Sequence, residues 1–241
     1  PRTSSAASDV YKRQIIESTG SGGGLKLFCS GRGPSTPDVT NASRRIKKSE
    51  VKLCAKNGIN EIIEHKIGYD GIVIANAKNG PNYTISRKDL YMALAAKVPC
   101  GVQDGVTCDN EAKTWKDVNP SLPDIRIEVY GPPPTSGTRD AFAELGLGGG
   151  CKMIPWIKKF KKEDKSAWKN LCYTVREDGA YIETGENDNL IIQKLVNNPD
   201  ALGVFGFSFL DQNTDSVKGA IVDGIEPTFE SIASGDYKAV S

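Results

Sequence analysis

Apolar runs of strand length alternate along this chain with segments of helical period, and glycine, serine, threonine or proline marks each handover. "IEVYGPPPTSGTRDAFAEL", Ile127 to Leu145, shows the pattern most clearly. A run alternating like a strand meets three prolines, then Thr135-Ser136-Gly137-Thr138-Arg139, then an apolar-periodic helix. Strands and helices in alternation predict an α/β fold with largely parallel sheets. "IIEST" reads as a short strand, turned by "GSGGG" into a helix, "LKLFCSG". "PDVTNAS" reads as a strand, and Ser49 as the cap of a helix, "EVKLCAKNG", that stops at Asn57-Gly58. "INEIIEHKIGYDGIVIANA" holds two strand-like runs, the second apolar enough for a buried parallel strand. "SRKDLYMALAAKV" carries a capping box, Ser86 with Asp89, and predicts a helix. "NDNLIIQKLVNNP" predicts an amphipathic helix stopped by Asn-Pro, and "ALGVFGFSFL" a buried strand.

A length of 241 residues suits one large domain or two lobes. The net charge of +1 gives no global field for nucleic acid. No stretch approaches the roughly 20 apolar residues that cross a bilayer. The lysine-rich "WIKKFKKEDKSAWKN" reads first as a solvated helix or loop, with a basic recognition surface as the alternative. "PRTSSAASDVYKRQ", Pro1 to Gln14, lacks periodicity and reads as a non-native or unstructured segment. The abrupt start and stop suggest a fragment missing both ends. Six cysteines without a C-x-x-C pair exclude zinc-type spacing and suit disulfides in an oxidising compartment. They allow 15 pairings; nearest-neighbour pairing (Cys29 with Cys54, Cys100 with Cys108, Cys151 with Cys172) is the expectation, and buried free thiols are the alternative.

One device recurs three times where a strand hands over to a helix: Ser21 and Gly22 in "STGSGGG", Ser136, Gly137 and Thr138 in "PPTSGT", and Gly185, Asn187 and Asp188 in "ETGENDN". A helix start offers unpaired N–H groups and partial positive charge, so it attracts anions. Glycine lets an anion reach the backbone, and hydroxyls donate further bonds. Arg44, Arg45 and Arg139 are positioned to supply charge-assisted bonds to a tetrahedral oxyanion. Each start alone is also what an ordinary N-cap looks like. Three together with arginines favour an anion site.

These residues resemble the periplasmic phosphate-binding proteins of Pst-type ABC transporters. "STGSGGGLKLFCSG", "DVTNASRRIK", "IGYDGIVIANA", "KTWKDVNPSLPD", "GPPPTSGTRDAF", "REDGAYIETGENDN" and "ALGVFGFSFLDQN" fall in that family's order from about Ile15 onward. The resemblance implies a two-lobed type II periplasmic-binding-protein fold, with mixed, mostly parallel sheets flanked by helices and joined by a hinge. Residues 15–75 and 205–241 would form an incomplete lobe I and 76–204 lobe II, with crossovers near Ile74–Asn76 and Val204–Phe207. Phosphate would bind between the lobes through Ser21, Gly22, Arg44, Ser136, Gly137, Thr138, Arg139 and Asp188. The implied protein is an extracytoplasmic, periplasmic or surface-associated monomer that delivers phosphate to a membrane permease, with no cofactor, metal, nucleic acid or catalytic residue. The family's N-terminal strand and its phosphate-contacting turn would lie before Ile15.

Two departures matter. Arg44 stands where well-known members carry an aspartate, and Pro132 where they carry an arginine, while Arg139 follows the Ser-Gly-Thr loop. A buried carboxylate reads the proton that phosphate carries and sulfate lacks, so without it another acceptor must discriminate. Asp140, Glu186 and Asp188 are the candidates. Sulfate, molybdate or tungstate is the alternative ligand, and a phosphate scavenger without a transporter is a further reading. A serine phosphatase or hydrolase built on Ser136 or Ser21 would need His65, the single histidine, as its base, and no G-x-S-x-G elbow is present.

Overall fold

The computed structural model describes residues 20–42, 44–68 and 71–237. The segments Pro1–Gln14 and "IIEST" therefore lie outside the described residues, as does Ser43 of "NAS". At the centre is a five-stranded sheet in the order β6-β5-β7-β1-β8, built from β1 (Ile72–Ala77), β5 (Val129–Gly131), β6 (Tyr181–Glu183), β7 (Leu202–Gly206) and β8 (Val217–Gly219). Two small sheets pair β2 (Thr84–Ile85) with β9 (Ile221–Val222) and β3 (Lys97–Pro99) with β4 (Thr107–Asp109). The main sheet is mixed. β5 runs parallel to β6 and β7, but β1 runs antiparallel to both β7 and β8. The expectation of a parallel partner for "GIVIANA" is thus corrected, although its burial along all six residues is as expected. An apolar run reports that both faces are covered, and the direction of its neighbours leaves no trace in it.

Helices α1 (Gly20–Phe28) and α2 (Lys48–Lys56) precede the sheet; α3 (Arg87–Leu94) and α4 (Trp115–Val118) follow β2 and β4. Then come α5 (Gly137–Ala141), a π-helical stretch (Phe142–Leu147), α6 (Gly148–Cys151), α7 (Pro155–Glu163) and α8 (Lys165–Tyr173). α9 (Asp188–Asn197), α10 (Phe207–Gln212) and α11 (Phe229–Ala233) complete the order. The predicted capping box forms: Ser86 accepts from the Asp89 N–H, and the Asp89 carboxylate accepts from the Ser86 N–H at 2.8 Å. Asn187 caps α9, which buries Ile191, Ile192 and Leu195. Asp164 starts α8 by accepting from Ser166 and Ala167.

Five local expectations fail for physical reasons. "GSGGG" is the first turn of α1, not a turn before it. "PDVTNAS" forms no strand among its described residues, and Val39 stands exposed with no strand edge against it among the described residues. The first run of "INEIIEHKIG" likewise stays irregular, with Ile63 and Ile67 exposed. Ser49 lies inside α2, whose start is instead stabilised by Glu50, accepting from the Lys47 N–H at 2.7 Å. Beyond Gly206, the apolar run that began as β7 turns helical as α10.

The core lies on both faces of the sheet and includes Trp115, Trp168, Tyr91, Phe142, Phe205 and Tyr237, all fully buried. Glycine at 150 is required by close approach: a side chain there would collide with the Arg87 carbonyl, because α6 packs directly on α3. All three nearest-neighbour disulfides are present, Cys29–Cys54 joining α1 to α2, Cys100–Cys108 closing the β3–β4 tip, and Cys151–Cys172 joining α6 to α8. No helix among the described residues is long and apolar enough to cross a membrane.

Candidate functional site: two helix starts and a paired arginine

The start of α1 and the start of α5 are brought against each other. The Gly22 N–H donates to the Thr135 carbonyl at 3.3 Å, one residue before the α5 cap. Gly20 has φ +66°, and a side chain there would collide with the Thr135 carbonyl and the Glu186 carboxylate. Only glycine meets both demands. Ser21 is buried beside it. On the α5 side, Ser136 is buried and its Oγ accepts from the Thr138 N–H at 3.2 Å, while its own N–H donates to Pro133. Gly137 is buried and Thr138 half-buried.

Arg44 comes to the same place from an irregular segment. A Cβ added at Gly22 would sit 3.8 Å from Arg44 Nη2, so the guanidinium borders the start of α1. It is held in a fork: Nη2 and Nη1 donate to Glu50 at 2.7 and 3.0 Å, and Nε donates to Asp140 at 2.9 Å. Lys47 Nζ donates to the same Asp140 oxygen at 2.7 Å. Two cations and two carboxylates thus form one network that ties α2 to α5 across the Arg44 segment. Arg45 is exposed and pairs with Glu64 instead. The Arg44 fork, with the Lys47 N–H bond, holds the Glu50 carboxyl below its usual range.

That depression has a pH consequence. The Glu50 contribution to stability is present above the ordinary carboxyl value of 4.5 and is lost as pH falls through the lower folded value. The urea midpoint should fall on acidification below about pH 4.5, and Glu50→Gln should flatten that part of the profile. An unchanged profile in the variant would remove the network from the stability account.

The remaining expected residues are engaged elsewhere. Arg139 stacks over the Tyr181 ring, 4.0 Å from its centroid, and its Nη1 donates to the Pro132 carbonyl at 3.4 Å. Burial pushes the Tyr181 hydroxyl up to about 12, with Arg139 opposing, and it also donates to Pro132, at 2.9 Å. Asp188 Oδ2 accepts from the Gly206 N–H at 3.1 Å and so joins α9 to the end of β7. Glu186 accepts from Thr135 Oγ1 at 2.8 Å, which brings the turn before α9 to the same pair of helix starts. Of the three carboxylates considered for reading a proton, Asp140 is the one bonded to Arg44. Sequence reading missed Glu50 and Lys47. The signal was available in part, since Glu50 stands at the third position of α2, where a carboxylate back-bonds to the helix start. His65 is exposed on an irregular segment, and its ring makes no hydrogen bond among the described residues.

A cavity of about 680 Å³ between the β3–β4 hairpin and helices α7 and α8, and another of about 370 Å³ beside α3 and α4, include none of these residues. The described residues hold no group of three His, Cys, Asp or Glu side chains placed to bind a metal.

The chain belongs to the PBP superfamily, whose domain matches residues 5–241, so the match begins inside the segment set aside on sequence grounds. It is 28% identical over 247 residues to Protein SphX of Synechococcus elongatus, covering 98% of this chain and 61% of that protein. It is 31% identical over 225 residues to the phosphate-binding protein PstS of Staphylococcus saprophyticus, covering 91% of this chain and 56% of the relative. The chain therefore spans little more than half the length of these relatives. Among solved structures, a possible phosphate binding protein from Planctomyces limnophilus is similar, with TM-score 0.51, 26% identity, and coverage of 91% of this chain and 65% of that one. A phosphate-bound structure from Clostridium perfringens shares the fold, with TM-score 0.57, 24% identity, and coverage of 91% and 68%.

Proposed function

We propose that this chain is the phosphate-capturing part of an extracytoplasmic receptor that serves an ABC transporter. The observation that carries the reading is the meeting of the α1 start, the α5 start and Arg44. Backbone N–H groups, Ser and Thr hydroxyls and one guanidinium are the donors that a tetrahedral oxyanion needs. The anion would be held by Ser21, Gly22, Ser136, Gly137 and Thr138, with Arg44 joining them by giving up part of its fork on Glu50 and Asp140, and Arg139 and Asp188 reaching it only after leaving their present partners. An arriving anion would take over the Gly22 N–H from the Thr135 carbonyl. Relatives named for phosphate binding support the choice of phosphate over other oxyanions. Solute-binding relatives likewise support a receptor rather than an enzyme.

The lobe boundaries near residues 75 and 205 go with this proposal. The antiparallel pairing of β1 with β7, Ile72 opposite Gly206, supports them, because the chain enters and leaves the sheet at one end. β8 and β9 then return to β1 and β2, so part of the segment after 205 packs against both halves. Phosphate carries a proton and needs an acceptor, and Asp140 beside Arg44 is the carboxylate we assign to it.

Calorimetric titration with phosphate and then sulfate tests the reading. Thr138→Ala should weaken phosphate binding by about 1.5–3 kcal/mol, as loss of a bond to a charged ligand does. Unchanged affinity would sink the site. Equal binding of sulfate would make the protein a general oxyanion receptor and leave Asp140 without the assigned role.

A further inference from the structure

The region from Lys152 to Lys169 carries seven lysines against two acids, Glu163 and Asp164, an excess of five positive charges in a chain whose net charge is +1. Three of these lysines are tied to the fold: Lys161 and Lys152 lie over the Trp168 ring, at 4.6 and 5.6 Å, and Lys169 over the Tyr173 ring, at 5.9 Å. Lys158, Lys159, Lys162 and Lys165 are exposed and form no ion pair among the described residues. On α7, Lys158 and Lys162 stand four residues apart on the outer face, and Lys159 turns toward the 680 Å³ groove with Trp156 and Phe160. Across that groove lies the β3–β4 hairpin, whose Gly105 and Thr107 form the far wall. Its tip is closed by Cys100–Cys108, with Val102 fully exposed and Val106 half exposed. Asp104 and Glu163 also border the groove, so the charge excess belongs to the outer ridge and not to the groove itself.

We propose that the α7–α8 ridge and the adjoining β3–β4 tip form a docking surface for an anionic lipid bilayer. Three features choose this occupant. The cations are all lysines with no arginine among them, which suits a diffuse field of headgroups better than forked recognition of one carboxylate or phosphate. Lysine clusters of this size on an amphipathic helix draw a protein to anionic lipid, each charge adding to the attraction. An exposed valine on a disulfide-closed tip, with half-buried Trp156 and Phe160 beside it, supplies apolar contact at the headgroup boundary. A dissolved polyanion would engage the lysines but would have no use for Val102. This surface is separate from the helix starts and stands whether or not they bind phosphate.

The test is flotation of the full 241-residue chain with phosphatidylcholine vesicles, with and without about one third phosphatidylglycerol. Partition into the anionic vesicles should exceed that into neutral ones by about a hundredfold at low salt and fall as salt is added. The quadruple variant Lys158→Gln, Lys159→Gln, Lys162→Gln and Lys165→Gln should lose at least about a hundredfold. Val102→Asp should lose about tenfold. The far-UV spectrum and melting temperature of both variants should match the parent, since all five side chains are solvent-exposed. Equal partition into both vesicle types, absence of binding, or full binding by the quadruple variant would overturn the proposal. So would binding that inorganic polyphosphate abolishes while Val102→Asp leaves it untouched, which would assign the ridge to a dissolved polyanion or an acidic partner.

Discussion

Arg44→Ala is expected to weaken phosphate binding by at least about 3 kcal/mol, more than a hundredfold in Kd. Two effects add. The guanidinium that would turn from Glu50 and Asp140 to the anion is lost, and bonds of that kind to charged groups contribute about 1.5–3 kcal/mol. The substitution also leaves Glu50 and Asp140 facing the site with only Lys47 between them, so a neutral network becomes a negative one. The Arg44 side chain is 14% exposed and Glu50 16%, so solvent screens this change only in part. Arg44→Lys restores the charge without the fork and should recover a minority of the loss. Calorimetry on both variants checks the argument. An alanine variant that binds within about threefold of the parent would mean that Arg44 is a structural strut between α2 and α5 and that the anion lies elsewhere.

The second large effect is expected from the double replacement Cys29→Ala and Cys54→Ala. A bridge closing a separation of 25 residues restricts the unfolded chain by an amount worth about 3 kcal/mol. Little of this part of the molecule is buried among the described residues. Along α1 only Ser21 and Leu25 are buried, and along α2 only Cys54. Ties observed among the described residues include the Gly22–Thr135 bond, an Asn57 side-chain bond to the Cys29 carbonyl at 2.7 Å, and the Arg44 network. The loss should therefore appear as local opening. Hydrogen exchange should accelerate across residues 20–57, phosphate affinity should fall with it, and the amides of β1, β5 and β7 should keep their protection. Uniform loss of protection over the whole chain would show that α1 and α2 are integral to the core instead.

Where a local interaction decides the outcome, the sequence read correctly. Ser86 with Asp89 starts a helix because the partners are three residues apart and need nothing else. Asn57-Gly58 ends one because glycine takes the φ of +84° observed there. Nearest-neighbour cysteines pair because short separations meet most readily in the chain. The α/β class and the three glycine- and hydroxyl-rich helix starts were legible for the same reason, as were Ser136 as a cap and the burial of "IVIANA". What sequence could not decide was long-range. "PDVTNAS" has strand composition yet pairs with no strand among the described residues, because β-pairing is settled by a partner elsewhere in the chain. β1 is antiparallel because β7 and β8 flank it, and its own residues say nothing of their direction. Arg44 and Asp140 are 96 positions apart, and Arg139, adjacent to the loop it was expected to serve, turns to Tyr181 instead. Side-chain charge determines that an arginine seeks an anion. Only the packing of α1, α2 and α5 determines which one it finds first.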